Sequence, residues 1–503
     1  MDQEIELCLA LPAELNAAFI QKLPKLLPAA GKAVQQDLLS IYYDTPNMDL
    51  QRREMGLRLR QKGEQWIQTV KYGQSAGGGL NARAEFEHIT HGPALELANI
   101  ADLDARNFLC DDKIATRLQP AFTTRIQRTL WEVEDKQGNI VEIALDIGHI
   151  SCDDRSTVVN EVEVELKQGR IEAVFGVALT LAKAFPLLPQ PRSKAERGSR
   201  LFTQTPIKPE GAKLPELLPD MTPVEARRLI KMECLRHLQA NLPWVGQGDD
   251  MEFIHQARVA IRRMRSANKA FSALPDDATW NRLETGLQSL AQMLGDVRDR
   301  DVLVHETLAR IEPAFEGKIP LHVVQQALLQ QREELIQKVR TTMHSPRIGT
   351  LLLHLLAWLH VDHPEDAAAE GVTLKDFAHA ALDKRLSAVE KYAKRWEKLD
   401  EPERHTLRKH VKKLRYSAEF FSSLYPAARV KKFLGSYRDV QEALGLMNDA
   451  VVSRELLQQL AVQQPATAFA AGAAAGWEER IGYLAVEEIM PALQEMRGAK
   501  VYW

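Results

Sequence analysis

The stretch NEVEVELK, residues 160–167, places Glu161, Glu163 and Glu165 on one side of an extended chain and Val162, Val164 and Leu166 on the other. Period-two alternation of this kind predicts a β-strand. It recurs in EIELCL (4–9), GLRLRQK (56–62), RAEFEH (83–88) and NIVEIALDIG (139–148). Glu4 and Glu6 share a face, as do Arg58 and Arg60, and Glu142 and Asp146, each set backed by aliphatic residues such as Leu7, Leu59 and Ile143. For a single strand the ordinary explanation is a polar face that meets water. Five strands carrying single-sign blocks of charge favour a sheet closed into a barrel with those faces inward.

Such a lining has definite chemistry. Clustered carboxylates raise one another's pKa unless cations neutralise them, and an all-oxygen donor set suits Mg²⁺ or Mn²⁺. Arg58, Arg60, Lys71, Arg83, Arg128, Lys194 and Arg197 would face a substrate of high negative charge, since guanidinium forks match phosphate oxygens. The glycine run QSAGGGLNAR (74–83) lacks the Gly-Lys-Ser/Thr ending of a phosphate-binding loop and leads into a strand pattern, so it reads as a hairpin connection.

The chain has 503 residues, too many for one ordinary core, with 45% hydrophobic and 26% charged residues and a formal net charge of −3. Any anion binding must therefore come from local charge. Its four cysteines, Cys8, Cys110, Cys152 and Cys234, have no metal-ribbon spacing. No apolar run approaches the roughly 20 residues of a membrane span, and the first residues are acidic rather than basic, so the expected address is cytoplasmic. The proline-bearing stretch TQTPIKPEGAKLPELLPDMTP (203–223) separates the strand-rich part from long segments with helical spacing. We place a first domain at 1–203, a linker at 204–220 and an all-α domain at 221–503. The fold class is α+β multidomain.

The helical half repeats at an offset of 150: His255, Arg258, Arg262, Arg263 and Arg265 match His405, Arg408, Lys412, Lys413 and Arg415, and LGDVRD (294–299) matches LGLMND (444–449). Two copies, about 221–360 and 371–500, suggest a pseudo-twofold bundle rather than a solenoid. At about 100° per residue, His255, Arg258, Arg262, Arg265 and Lys269 occupy an arc of roughly 80°, and His405, Arg408, Lys412 and Arg415 repeat it, with Lys409 and Lys413 alongside. A solvated helix face usually intersperses carboxylates at i, i+4; these stripes do not until Glu419, so they repel themselves unless an anion occupies them.

The motifs EIEL, YYDTP (42–46), GLRLR, TVK (69–71), RAEFE, EIALDIG, EVEVELK and SKAERG (193–198) together resemble the CYTH domain, or triphosphate tunnel metalloenzymes, over most of 1–203. The resemblance implies an eight-stranded antiparallel tunnel that binds triphosphate and divalent metal. In it Glu4, Glu6, Asp146, Glu161 and Glu163 would position Mg²⁺ or Mn²⁺, and Glu4, Glu6, Arg58, Arg60, Lys71, Arg83 and Lys194 would be catalytic. From about 221 to 500 the two His-x-x-Arg helices and the LG elements resemble the CHAD domain. That resemblance implies two similar helical bundles whose basic helices bind inorganic polyphosphate.

The reading is a polyphosphate-binding protein with a metal-dependent inorganic triphosphatase that acts on tripolyphosphate; a place on polyphosphate granules follows if the binding holds. Nucleic acid is disfavoured as a partner because no aromatic platform accompanies the basic stripes. One position departs from the family signature Glu-x-Glu-x-Lys: this chain has Cys8 in place of the lysine. The alternative is therefore a polyphosphate-binding protein whose tunnel lacks catalysis.

Overall fold

The computed structural model describes residues 3–73, 77–248, 250–275, 278–315, 317–361 and 371–503. Its contacts divide the chain into two units, Met1–Lys208 with Thr341–Val361, and Pro209–Arg340 with Asp362–Trp503.

The first unit is built on β1 (Gln3–Ala10), β2 (Val34–Asp44), β3 (Met55–Lys62), β4 (Gln65–Tyr72), β5 (Leu80–Thr90), β6 (Gln119–Glu134), β7 (Ile140–Cys152) and β8 (Arg155–Gln168), with a two-residue β9 (Leu188–Pro189) on β1. The order is β5-β4-β3-β2-β6-β7-β8-β1-β9, and an added β5–β1 pairing closes eight antiparallel strands into a barrel. Closure removes the sheet edges that would otherwise present unpaired backbone groups. The parity read from the sequence holds: Leu7, Leu9, Leu59, Ile143, Val162 and Val164 are each 0% exposed.

These aliphatic residues are buried on the outside of the barrel wall, and helix Ile171–Ala182 packs over β1, β7 and β8 with helix Asn16–Leu26 beside it. Phe19 meets Trp131 and Phe185 there, with ring centroids 6.2 Å and 5.1 Å away. Burying each such side chain stabilises the fold by about 1.5–3 kcal/mol. Water is thus kept from the apolar face, and the charged face is left to line the interior.

The second unit contains the helix pairs Pro223–Asn241 with Glu252–Ala270 and Leu374–Ala393 with Glu401–Phe420, which repeat the spacing seen in the sequence. Long helices Ala278–Val302 and Arg438–Gln463 carry the two LG elements. Among the described residues no helix is long and apolar enough to cross a membrane.

One helix departs from the sequence division. Pro346–His360 was assigned to the first helical repeat, yet it belongs to the unit of the barrel. Its Thr350 hydroxyl donates to the Ala182 carbonyl at 3.3 Å and His360 stacks on Phe175 at 6.4 Å. Gly349 permits the approach: a Cβ there would lie 1.9 Å from the Leu187 carbonyl oxygen. Gly349→Ala is therefore expected to destabilise this unit by about 1–3 kcal/mol through overpacking, measured by thermal unfolding with and without the substitution.

Candidate functional site

The barrel interior encloses about 290 Å³ lined by Glu4, Glu6, Cys8, Tyr42, Arg58, Arg60, Lys71, Arg83, Arg128, Glu161, Glu163 and Lys194, among others. Strand register brings these residues together from distant sequence. Glu4 lies opposite Arg83, Cys8 opposite Glu163, Arg128 opposite Asp146, and Asp146 opposite Glu161.

On one wall Arg128 grips Asp146 through Nε and Nη2 at 2.7 and 2.6 Å and reaches Glu163 at 2.5 Å. Lys194 contacts Asp146, Glu161 and Glu163 at 2.7, 2.6 and 2.5 Å, and Arg197 pairs with Glu161. Asp146 and Glu161 are 0% and 1% exposed. Burial alone would raise the Glu163 carboxyl, but Lys194 and Arg128 outweigh it and hold the group well below the usual range. Lys194 and Arg197 sit in the first turns of helix Lys194–Phe202, whose capping box joins Ser193 and Glu196. Cations at a helix N-terminus oppose its dipole, so the three carboxylates offset that cost and tie the helix to the barrel.

On the facing wall Lys71 pairs with Glu4 and lies 3.1 Å from Glu85, and Arg58 lies 3.3 and 3.4 Å from Glu85 and Glu87. Burial, with help from Glu163, raises the Glu6 carboxyl above its ordinary value. Arg60 donates to the Ser40 hydroxyl at 3.1 Å and, like Arg83, has no carboxylate within ion-pair distance among the described residues. Burial, then Arg58 and Arg128, lower Arg60 to about 10. Two half-buried guanidiniums without a carboxylate partner among the described residues are open to an anion.

The sequence reading assigned no role to Tyr42, Asn81 or Glu85. Tyr42 is 8% exposed; burial raises its phenol, but Arg58 and Arg60 prevail and lower it. Asn81 donates to Glu6 at 3.1 Å. Tyr42 shares the parity of Ser40 and Asp44 on β2, whose mostly neutral residues carry no block of charge to mark the face.

In the helical unit the two basic stripes converge. Burial and then Arg408 and Arg262 depress the Lys412 amine to about 7, so Arg262 of the first copy stands close to Arg408 and Lys412 of the second. The His255 imidazole is lowered by burial, against Glu252 and with Arg298, Arg262 and Arg258; His405 is lowered by burial, Lys409 and Arg408. Each stripe is flanked by one aspartate from its LG helix: Arg258 lies 4.0 Å from Asp299 and Arg408 3.6 Å from Asp449. Gly295 makes room for the first pair, since a Cβ there would lie 2.0 Å from Arg258 Nη1.

The remaining basic positions divide. Arg265 and Arg415 have carboxylates at 3.7 Å (Glu284) and 3.4 Å (Glu419). Lys269 and Lys409 are exposed, and Lys413 is lowered by burial and by Arg385 and Lys269, a separate cluster whose Arg385 the sequence reading passed over. Arg263 differs most from expectation. It is 6% exposed, pairs with Glu419 at 2.6 Å and lies over the rings of Tyr416 and Phe420, so it links the two basic helices internally and does not face an open groove.

The CYTH domain family model matches residues 2–199 and the CHAD domain family model residues 230–458. An inorganic triphosphatase of Haemophilus influenzae is 32% identical over 201 residues, 39% of this chain and 54% of that protein, so the match spans about half of the relative's length. The crystal structure of the CHAD domain from the plant Ricinus communis is 30% identical, with a TM-score of 0.53, and the match covers 59% of this chain and 99% of that one. The chain thus carries a CYTH domain followed by a CHAD domain, and through its helical half it belongs to the CHAD family.

Proposed function

We propose that this protein hydrolyses inorganic tripolyphosphate in its barrel and binds long-chain polyphosphate along the basic stripes of its helical unit. The observation that carries the first part is the juxtaposition of half-buried Arg60 and Arg83, which have no carboxylate partner among the described residues, with the converging carboxylates Asp146, Glu161 and Glu163. An all-oxygen set already gathered around one ammonium, that of Lys194, fits a hard divalent cation. Glu4, Glu6, Asp146, Glu161 and Glu163 would hold Mg²⁺ or Mn²⁺, which supplies charge neutralisation for phosphate oxygens and a polarised water.

The chain's own residues do the rest of the positioning. Arg60 and Arg83 bind phosphate oxygens directly, Arg58, Lys71 and Arg128 orient the facing carboxylates, and helix Lys194–Phe202 closes over the substrate with Lys194 at the reacting end. Fixed donors of this kind stabilise charge as it develops on transferred phosphoryl groups. The test is phosphate release from tripolyphosphate and from long-chain polyphosphate by the full-length protein, with Mg²⁺, Mn²⁺ or chelator. Metal-dependent release from the short substrate is expected, together with its loss in chelator; release that is indifferent to chelator would refute the metal role.

Cys8 supports a second reading, because it lines the cavity where the family signature has lysine. In that reading the tunnel binds phosphate without hydrolysing it. An inactive parent protein that gains turnover on Cys8→Lys would favour this alternative.

The polyphosphate reading predicts a pH dependence. Free Lys412 titrates at about 7, and a bound polyanion favours its charged form and raises that value. Affinity is therefore full below pH 7 and falls as pH rises through the interval up to the bound value, by at most about tenfold per pH unit. Calorimetry at pH 8 in buffers of different ionisation enthalpy should show uptake of up to about one proton on binding, and Lys412→Arg should abolish it. RNA at equal charge is not expected to compete.

A further inference from the structure

Among the charged groups of the tunnel stands a thiol, for which neither triphosphate nor a hard metal has a use. Cys8 shares the inward parity of Glu4 and Glu6 on β1 and lines the cavity. Its side chain is 3% exposed. No hydrogen bond to its sulfur is present among the described residues. The sulfur and one carboxylate oxygen each of Glu161 and Glu163 lie within 4.8 Å of one another. That spacing lets a single ion touch all three after small side-chain rotations.

We propose that Cys8, Glu161 and Glu163 form a site for a thiophilic divalent cation of the Zn²⁺ and Cd²⁺ class. Mg²⁺ takes oxygen ligands, whereas Zn²⁺ and its heavier relatives accept mixed sulfur and oxygen sets, with contacts of about 2.3 Å to sulfur and about 2.1 Å to oxygen for Zn²⁺ and longer ones for Cd²⁺. A lysine at this position would present an ammonium and repel a cation; cysteine presents a ligand in its place. Binding there draws Glu161 and Glu163 away from Lys194, which keeps its 2.7 Å contact with Asp146, while the second oxygens stay with Arg197 and Arg128. The ion competes with Mg²⁺ or Mn²⁺ for two carboxylates, so Cys8 makes the tunnel selective among metals. The inference rests on the reading of this cavity as a divalent-metal site and is independent of hydrolysis.

The test uses the full-length protein, reduced and stripped of metal, with exposed Cys110 replaced in a Cys110→Ser background. It is titrated with Cd²⁺ while thiolate-to-metal charge-transfer absorption is recorded, and Mn²⁺ binding is followed separately by electron paramagnetic resonance. A saturable band at about one equivalent is expected. In Cys8→Ser the band should vanish and Cd²⁺ affinity should fall by about 100-fold or more, because even outer partners of a metal ligand are worth 10–100-fold, while Mn²⁺ affinity changes little. Cys8→Ala repeats the test should the serine variant unfold, and thermal melts report folding of both. No band in the parent overturns the proposal, and so does a band that survives both substitutions. A Cys8-dependent band with no phosphate release under any metal upholds this site and refutes the hydrolytic reading alone.

Discussion

Arg128→Met is expected to lower tripolyphosphate turnover by about 10²- to 10³-fold, the range found when one preorganised electrostatic contact is removed from an active site. Arg128 holds Asp146 in a two-pronged grip and also binds Glu163. Asp146 is 0% exposed, so without Arg128 both Asp146 and Glu163 depend on the ammonium of Lys194, which Glu161 also shares. Stranding a buried charge in this way costs about 3–5 kcal/mol, and the site escapes the cost by protonating a carboxylate or by shifting β7 and β8 apart. Either response spoils the oxygen set proposed for metal.

A pH profile separates this from simple unfolding. Glu163 lies well below the ordinary carboxyl range despite burial, because of Lys194 and then Arg128. A depressed carboxyl contributes stability that is present above its unfolded pKa and is lost as pH falls through the folded value. Removing Arg128 raises the folded value, so the acid limb of the rate profile and the acid unfolding transition should both move to higher pH. Turnover within about tenfold of the parent, with an unmoved acid limb, would remove Arg128 from the machinery.

The second large effect belongs to the helical unit. Arg262→Glu combined with Lys412→Glu is expected to weaken long-chain polyphosphate binding by about 100-fold or more at physiological salt and to reduce the salt slope of binding by about two. Arg262 and Lys412 come from different copies of the repeat, and burial, then Arg408 and Arg262, lower the Lys412 amine. Reversing both charges places two anions where a polyanion must pass. Tripolyphosphate turnover should be unaffected. Arg263→Met is the contrast: its guanidinium is buried on Glu419, so it should lower thermal stability and leave the salt slope unchanged. An unchanged slope in the double variant would separate the stripes from polyphosphate binding.

Much of this site was legible residue by residue. Inward parity was correct for Glu4, Glu6, Arg58, Arg60, Glu161 and Glu163 because a strand buried on both faces still alternates, and single-sign charge marks the interior face. The match of His255 with His405 and of Arg262 with Lys412 was legible because duplication preserves spacing. Tyr42 and Asn81 were missed because they are neutral, and Arg385 because it lies on a helix outside the repeated motif. Arg263 was misplaced because it entered through the repeat match with Lys413; at about 100° per residue it points off the arc of Arg262, toward the neighbouring helix and Glu419.

By itself the sequence determined an inward-charged barrel, a duplicated helical domain and the residue types available to each, since periods of two and 3.6 follow from backbone geometry. Only the tertiary structure decided which charges meet: Arg128 with Asp146 and Glu163, Arg263 with Glu419, and Arg60 and Arg83 with no carboxylate at ion-pair distance among the described residues. It also decided that helix Pro346–His360 completes the unit of the barrel, through a contact only Gly349 allows. The physical reason is common to all of these. Periodicity records that a face must be covered, but the covering group arrives from an element distant in sequence, and its identity is set by strand register and packing.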